Sequence, residues 1–259
     1  MDVSTTPEIT LYRGFPYPGQ YTWSPFVTKL EARLRFARVS YRTATGSPLR
    51  SPRGKIPYVD ITHPKTGTKT TISDSALIAR GLVEDGVLPD INGDLEPQEK
   101  VLDAGVRAML EDRLYFFQSH EKWVENYYEM RRHVLQALPY PAQIAVGYFI
   151  YRKQTQMLYD QGTMRFTSEE LKGFKEEIWA TLNELLVWER AKKETDGPFW
   201  VLGGEEPTEA DAALFGFIVG VLICSACPES QAIVRSFPAV VNYARRIHER
   251  YFPEYTYWE

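Results

Sequence analysis

Two stretches of sequence decide the fold of this chain: GKIPYVDI at residues 54–61 and ISDSALI at residues 72–78. Pro57 opens a short β-rich run, and Asp74 and Ser75 stand where a helix should begin. A proline at a strand edge leaves the backbone of the preceding residue, Ile56, accessible. A helix start offers free N–H groups and positive potential to a carboxylate. Together the two stretches favour a binding site for a short peptide.

The amino-acid composition limits the classes of protein to which this chain can belong. The chain has 259 residues, with 44% hydrophobic and 25% charged residues, as in ordinary globular proteins. Aromatic residues make up 14% of it, which fits a tightly packed core, an aromatic-lined pocket, or both. The net charge is −4, and like charges do not cluster in long runs. A nucleic acid is therefore not the expected partner.

Targeting and cysteine patterns indicate a reducing, cytoplasmic location. The amino terminus lacks a basic segment followed by an apolar run, so no secretory signal is expected. The longest apolar run, residues 212–226, is too short for a membrane span and predicts a buried core helix. Cys224 and Cys227 are the two cysteines of the sequence, which excludes a disulfide scaffold.

Residues 8–91 alternate strand-like and helix-like patterns. Residues 9–12 predict a first strand, and Ser24-Pro25 predicts an N-cap followed by proline at the first helical position. The helix that follows is amphipathic, with charged residues expected at the solvent: Lys29, Glu31, Arg33, Arg35 and Arg38.

A second strand is predicted over residues 39–44, and a hairpin over residues 56–61 and 68–72, turning at Lys65-Thr66-Gly67. Ser73 or Asp74 then caps a helix that runs to about Glu84. The predicted order is β-α-β, then β-β-α.

From residue 96 onward the pattern becomes helical. Helices are predicted over residues 96–120, 121–138, 142–161, from a capping box at Thr167, from a second box at Thr208, and over residues 236–251. Residues 197–207 are predicted as a loop. The sequence thus predicts two domains, a small α/β domain over residues 1–92 and an all-helical domain over residues 97–259.

This plan resembles the glutathione transferase superfamily, in which a thioredoxin-like domain precedes a helical one. The resemblance covers nearly the whole chain and rests on KIPY at residues 55–58, ISDS at residues 72–75 and the box TEAD at residues 208–211. Within the superfamily the chain looks most like the failed-axon-connections and metaxin-like branch, through WSPFVTKLE at 23–31, RGKIPY at 53–58 and EDRLY at 111–115.

The resemblance implies glutathione as co-substrate and assigns its binding residues. Pro57 would be preceded by a cis peptide bond, and the backbone of Ile56 would pair with the cysteinyl part of glutathione. Asp74 would bind the α-ammonium of the γ-glutamyl end, and Ser75 with the helix N-terminus its carboxylate. Without the family, Pro57 would be an edge-strand proline, and Asp74 and Ser75 would be a helix cap.

A hydroxyl near the first helix would activate the glutathione thiol by stabilising its thiolate. Ser24 stands at the helix start, although its alternative role as N-cap competes for the same oxygen. Residues 14–23 depart from the usual short loop, and Tyr17 or Tyr21 could be the donor instead. This position has no cysteine, which disfavours the cysteine-dependent chemistries of the superfamily.

The resemblance also implies a small hydrophobic electrophile as second substrate, bound between the domains. The residues expected to line its pocket are aromatic: Trp23, Tyr115, Phe116 and Trp123. Superfamily members are commonly homodimers, which implies a homodimer here. The alternative function is a non-catalytic binding or adaptor protein that keeps the fold.

Three other features are expected to be structural. The C-x-x-C motif at residues 224–227 is expected to hold buried, inert cysteines, because it ends an apolar helix. The four histidines are dispersed without metal-ligand spacing, so no metal site is expected. Asp211 should close a buried capping box, so that its replacement harms folding rather than binding.

Overall fold

In the computed structural model, which describes residues 7–64, 66–192 and 199–258, a four-stranded sheet with two helices precedes a helical region. The strands are β1 Glu8–Tyr12, β2 Arg42–Ala44, β3 Tyr58–Thr62 and β4 Lys69–Ser73. Their order in the sheet is β2-β1-β3-β4, with β1 parallel to β2 and the other pairs antiparallel. Helix α1, Pro25–Phe36, joins β1 to β2, and α2, Ser75–Glu84, follows β4. The predicted thioredoxin-like arrangement is confirmed.

The bounds of the N-terminal elements differ from the prediction in detail. The predicted strand at residues 39–44 is confined to β2, because only residues 42–44 pair with β1. β3 begins at Tyr58 rather than at residue 56, since the first paired residue follows Pro57. In the predicted hairpin turn, Lys65 lies outside the described residues.

The helical region contains more breaks than the sequence pattern indicates. Its helices are α3 Pro97–Ala108, α4 Tyr115–His120, α5 Tyr127–Val134, α6 Tyr140–Gln161, α7 Ser168–Ala191, α8 Glu209–Leu222, α9 Pro228–Arg235 and α10 Pro238–Tyr251. The predicted helix over residues 96–120 contains a π-helical segment, Met109–Leu114, and a second one, Glu121–Glu125, lies between α4 and α5. Such wide turns re-aim the side chains that follow them.

The prediction missed α9 entirely. Pro228 occupies the first turn of α9, where its missing N–H is not needed. The predicted last helix is confirmed as α10. The predicted loop at residues 197–207 falls partly outside the described residues.

The N-terminal region and the helical region each have an apolar core of their own. The first lies between the sheet and α1 and α2, and includes Leu11, Leu30, Val59, Ile78 and Leu82. The second fills the helical region around α8, which is buried along nearly its whole length. The prediction of a buried core helix is confirmed, although the helix ends at Leu222, before the last four residues of the predicted run 212–226.

Helix α1 packs directly against α8, and small residues allow the close approach. A Cβ atom at Gly216 would lie 2.4 Å from the carbonyl oxygen of Pro25 and 2.9 Å from the backbone nitrogen of Lys29. Any side chain at residue 216 would therefore push the two helices apart.

Three of the five charges predicted to face solvent are in fact buried, whereas Arg35 is half-buried and Arg38 is exposed. Lys29 is 3% exposed, Glu31 0% and Arg33 1%. The prediction was wrong because α1 is covered on both sides, by the sheet on one and by the helical region on the other. Each charge has a partner of opposite sign from elsewhere in the fold: Lys29 with Glu111, Arg33 with Glu209, and Arg13 with Glu31. Ion pairs thus join α1 to the helical region.

Asp211 closes a buried capping box at the start of α8. Its carboxylate accepts hydrogen bonds from the backbone N–H groups of Val201 and Thr208 and from the hydroxyls of Thr208 and Tyr243, at 2.7–2.9 Å. It therefore ties the preceding loop and α10 to the helix start. In the part of the chain that the structure describes, no helix combines the length and apolar character needed to cross a bilayer.

Candidate functional site

The start of β3 and the start of α2 lie side by side and form the base of the candidate site. The Ile56–Pro57 peptide bond is cis, as the resemblance implies. In the sheet, Tyr58 pairs with Ser73, so the residues just outside this pair, Pro57 and Asp74, are neighbours. The Asp74 N–H donates a hydrogen bond to the Pro57 carbonyl at 3.4 Å. Sequence segments separated by a hairpin thus meet at one edge.

Asp74 has an uncommon backbone conformation, with φ 83° and ψ 123°. Non-glycine residues with positive φ are infrequent and tend to occur at functional positions. The side chain caps α2, since its Oδ1 atom accepts hydrogen bonds from Ala76 N–H at 3.0 Å and Leu77 N–H at 3.2 Å. The other carboxylate oxygen, Oδ2, has no hydrogen bond with the described residues. The exposed carboxylate can therefore cap the helix and contact a cation at once.

Ser75 is the first residue of α2, and its side chain is buried. The N–H groups of Ala76 and Leu77 are already occupied by Asp74. Within the described residues, neither the Ser75 hydroxyl nor its N–H group has a hydrogen-bond partner. These are the donors that the helix start leaves for an anionic group.

Ser24 is the N-cap residue of α1 by its backbone, yet its hydroxyl does not cap the helix. Its carbonyl accepts the first helical hydrogen bonds, from Val27 N–H at 3.2 Å and Thr28 N–H at 3.4 Å. The competition between capping and catalysis that the sequence left open is absent here. The half-buried hydroxyl is free to donate a hydrogen bond to a ligand.

Tyr21 cannot be the activating hydroxyl, which corrects the sequence-based assignment. Its side chain is 6% exposed and packs in the core of the helical region against Phe215, Phe252 and Trp258. Its hydroxyl lies 2.8 Å from Nδ1 of His248, and burial raises its pKa. The sequence places Tyr21 close to α1, but the backbone turns its ring away from the site.

Tyr17 contacts the helical region through its hydroxyl, which donates to Oε1 of Gln136 at 2.5 Å. Arg13 fixes the loop around it by donating to the Tyr17 carbonyl at 2.9 Å and to the Gln20 carbonyl. The loop end is also held by the Thr256 N–H, which donates to the Gly19 carbonyl at 2.8 Å. The unusual loop is therefore an ordered bridge between the two halves.

Aromatic rings from the loop before α1 pack against His133 of α5. The Trp23 and His133 rings stack with centroids 3.5 Å apart and planes inclined by 8°. The ring of Phe15 also packs against the His133 ring, with a centroid separation of 4.8 Å. Burial lowers the pKa of His133 to about 4, although Glu129 acts in the opposite direction, so the ring is neutral at pH 7. Nothing in the sequence singled out His133, because its role depends on a contact between distant segments.

The other predicted pocket residues differ in their exposure to solvent. Tyr115 and Phe116 are half-buried and pack edge to face at 5.3 Å, and Tyr115 also meets Phe26 of α1 at 5.2 Å. Trp123 is buried in the interior and does not offer an accessible wall. Cavities of about 250 Å³ and about 610 Å³ lie elsewhere in the helical region, and no predicted site residue lines either one.

Two cations that the sequence reasoning missed flank the site. Arg53 donates to the Ser73 carbonyl at 3.3 Å, and Lys55 lies exposed directly before Ile56. They place positive charge next to the edge where Pro57 and Asp74 meet. Among the described residues, no group of three or more His, Cys, Asp or Glu side chains could hold a metal ion.

Comparisons with known proteins agree with this architecture. Residues 25–130 match the sequence model of the family described as glutathione S-transferase N-terminal domain. FzlA from C. crescentus is 14% identical, with a TM-score of 0.59, over 95% of this chain and 91% of that one. The beta-etherase LigF from Sphingobium sp. strain SYK-6 is 13% identical, with a TM-score of 0.60, over 94% and 96%. The glutathione transferase GSTFuA2 from Phanerochaete chrysosporium is 16% identical, with a TM-score of 0.57, over 94% and 98%.

Likeness at such identities shows the fold alone. The chain therefore has the glutathione transferase fold, and the resemblance to that superfamily is confirmed. The domain limits and the roles of the site residues stay predictions.

Proposed function

We propose that this chain, which has the glutathione transferase fold, binds glutathione and transfers it to a small hydrophobic electrophile. The proposal assigns the Ile56 backbone to the cysteinyl part of glutathione, Asp74 to its α-ammonium and Ser75 to its γ-glutamyl carboxylate. The observation that carries it is the Asp74–Pro57 hydrogen bond, which brings these groups to one edge.

Charge complementarity supports this orientation. Glutathione carries an ammonium and a carboxylate at one end and a second carboxylate at the other. Asp74 has a carboxylate oxygen left for the ammonium, and Ser75 has free donors for the adjacent carboxylate. Arg53 and Lys55 supply positive charge for the far carboxylate. The cysteinyl part would then lie over the start of β3, on the side of α1.

Ser24 is the proposed activating residue. Its hydroxyl donates a hydrogen bond to the glutathione sulfur, and the N-terminus of α1 adds positive potential. Both effects favour the thiolate, which forms a C–S bond with the electrophilic carbon. In a substitution a leaving group such as chloride departs with the electron pair, and in an addition to a double bond the neighbouring carbon takes up a proton. Tyr115 and Phe116 offer the accessible aromatic wall for the second substrate. A cytoplasmic homodimer completes the proposal, and sedimentation of a 29.9 kDa particle would contradict the dimer.

The experiment combines binding and turnover. Glutathione affinity is measured by titration calorimetry, and conjugation is followed with a chlorinated dinitrobenzene. Ser75→Ala should weaken glutathione binding, whereas Ser24→Ala should keep binding and lower kcat about tenfold or more, the loss of one hydrogen bond to a charged group. Ser168→Ala is the matched control, because Ser168 is also the first residue of a helix but lies far from the site.

A non-catalytic binder is the second candidate function. It is favoured by the unusual loop at residues 14–23, which the Trp23–His133 stack and the Tyr17–Gln136 hydrogen bond tie to the helical region. In that case glutathione binds with the residue dependence above, but no electrophile is turned over by the wild type. If glutathione does not bind at all, both candidates fail and only the fold remains.

A further inference from the structure

Cys224 and Cys227 form a tight turn between α8 and α9. The Cys227 N–H donates a hydrogen bond to the Cys224 carbonyl at 3.0 Å, which closes a four-residue β-turn. Such a turn brings its end Cα atoms within about 7 Å, and disulfides span about 4.4–6.8 Å. Cys227 is also the N-cap residue of α9. The motif therefore stands at a helix start, contrary to the sequence-based interpretation.

The turn is buried against the loop of the candidate site. Cys224, Ala226 and Cys227 are each 0% exposed and form a small cluster of their own. Trp23 and Met130 pack against it, and both are half-buried. Ser225, in the middle of the turn, is exposed. The two sulfurs thus lie one residue layer below the surface.

Lys122 brings an unpaired positive charge to this cluster. The side chain is 6% exposed, and no carboxylate in the described ranges forms a salt bridge with it. Burial disfavours the ammonium, but interactions with Cys227 and Cys224, and smaller ones with Tyr115 and Glu121, outweigh that effect and raise the pKa of Lys122. By contrast Lys175, the other buried lysine nearby, bonds to Glu121 and Glu229. A buried ammonium that forms no salt bridge is stabilised by another anionic partner in contact with it.

The cysteines are the groups that can supply that anion. Burial alone would raise the pKa of the Cys224 thiol, but the hydrogen bond with Cys227 and the charge of Lys122 lower it to about 7. The pKa of Cys227 is raised, chiefly by its own burial and by Cys224. Cys224 is therefore the nucleophilic thiolate, and Cys227 is the thiol that keeps its proton. Disulfide-forming pairs require this difference between the two cysteines.

We propose that Cys224 and Cys227, with Lys122, form a peroxide-sensitive dithiol that oxidises to a disulfide within the native fold. The proposal is independent of glutathione binding, because it rests on the turn, the buried lysine and the packing of Trp23.

The reaction takes two steps with a hydroperoxide as oxidant. The Cys224 thiolate attacks one peroxide oxygen, the O–O bond breaks, and uptake of a proton gives the Cys224 sulfenic acid and an alcohol, or water from hydrogen peroxide. The Cys227 thiol then attacks the sulfenic sulfur, forming the S–S bond and releasing water. The two thiols lose two electrons, which reduce the peroxide.

The test uses hydrogen peroxide as the probe on the folded, reduced wild-type chain at pH 7. Peptide mass analysis after protease digestion, without reductant, should find the peptide with both cysteines lighter by about 2 Da. Retained circular dichroism confirms that the fold is intact during oxidation. Two outcomes would overturn the proposal: free thiols persisting under peroxide that oxidises glutathione in a parallel tube, or oxygen addition to the cysteines without a disulfide.

Three variants assign the roles. Cys227→Ser should accumulate a sulfenic acid at residue 224 that dimedone traps, while Cys224→Ser should not be trapped. Lys122→Met should slow disulfide formation about threefold or more at pH 7, because less thiolate is present. Lys153→Met is the control, since it removes an exposed positive charge from α6. Equal rates for the lysine variant and wild type would refute the role of Lys122.

Discussion

Asp74 offers the sharpest test of the proposed glutathione site, because two of its functions can be separated. Its Oδ1 atom caps α2, and its free Oδ2 atom is the proposed partner of the γ-glutamyl ammonium. Asp74→Asn keeps an oxygen that can cap the helix and removes the charge. Asp74→Ala removes both.

The expected stabilities follow from the local structure. Asn is as good an N-cap as Asp and tolerates positive φ, so Asp74→Asn should lose only about 0.5 kcal/mol of charge–dipole energy. Asp74→Ala loses a cap worth about 1 kcal/mol and places a Cβ-bearing residue without local hydrogen bonds at φ 83°. That backbone strain adds about 1 kcal/mol, for a total of about 2 kcal/mol.

The expected affinities depend on the charge alone. A hydrogen bond between charged groups contributes about 1.5–3 kcal/mol, and the exposure of Asp74 argues for the lower end. Both variants should therefore bind glutathione about tenfold more weakly than the wild type. Free energies of unfolding come from urea titration, and affinities from calorimetry at low and high salt.

The comparison between the two variants decides the matter. If Asp74→Asn binds glutathione as tightly as the wild type, the carboxylate does not hold the ammonium and the assignment is wrong. If only Asp74→Ala loses affinity, the effect comes from the helix cap. A glutathione analogue that lacks the α-amino group should bind both variants and the wild type equally.

The remaining predictions concern the interior and the domain contact. Burial lowers the pKa of His133 from 6.5 to about 4, so the unfolded chain binds a proton at this residue more readily than the folded chain does. The stability that neutral His133 contributes is therefore complete above pH 6.5 and is lost as the pH falls from 6.5 to 4. His133→Phe keeps the stack on Trp23 and should flatten the pH dependence of urea unfolding between pH 6.5 and 4; an unchanged profile would exclude this residue. Gly216→Ala should destabilise by about 1–3 kcal/mol, since its Cβ meets the backbone of α1, whereas Gly173→Ala, with open space around it, should stabilise by about 0.5–1 kcal/mol; equal melting temperatures would contradict the packing argument. Asp211→Ala leaves buried donors unpaired and should lower stability by about 3 kcal/mol or more without a specific effect on glutathione affinity, which denaturation and calorimetry of the folded fraction will separate.

The sequence alone determined the order of the N-terminal strands and helices and the starts of α7 and α8, whereas it missed α9 and the breaks on either side of α4. Hydrophobic periodicity and caps are local signals, and they correctly gave the β-α-β, then β-β-α order and the capping boxes at Thr167 and Thr208. Local signals also predicted Ser24 at the start of α1. These features depend on residues a few positions apart, or on one hairpin, so a pattern can reveal them.

Only the tertiary structure decided which faces are covered and which distant residues meet. Lys29, Glu31 and Arg33 show a solvent-facing pattern, yet they are buried because the helical region packs on the second side of α1. Tyr21 likewise points into the core of the helical region because that region packs against the loop that carries it. The stack of His133 on Trp23 joins residues more than a hundred positions apart, and such contacts arise from packing of whole elements rather than from any local propensity.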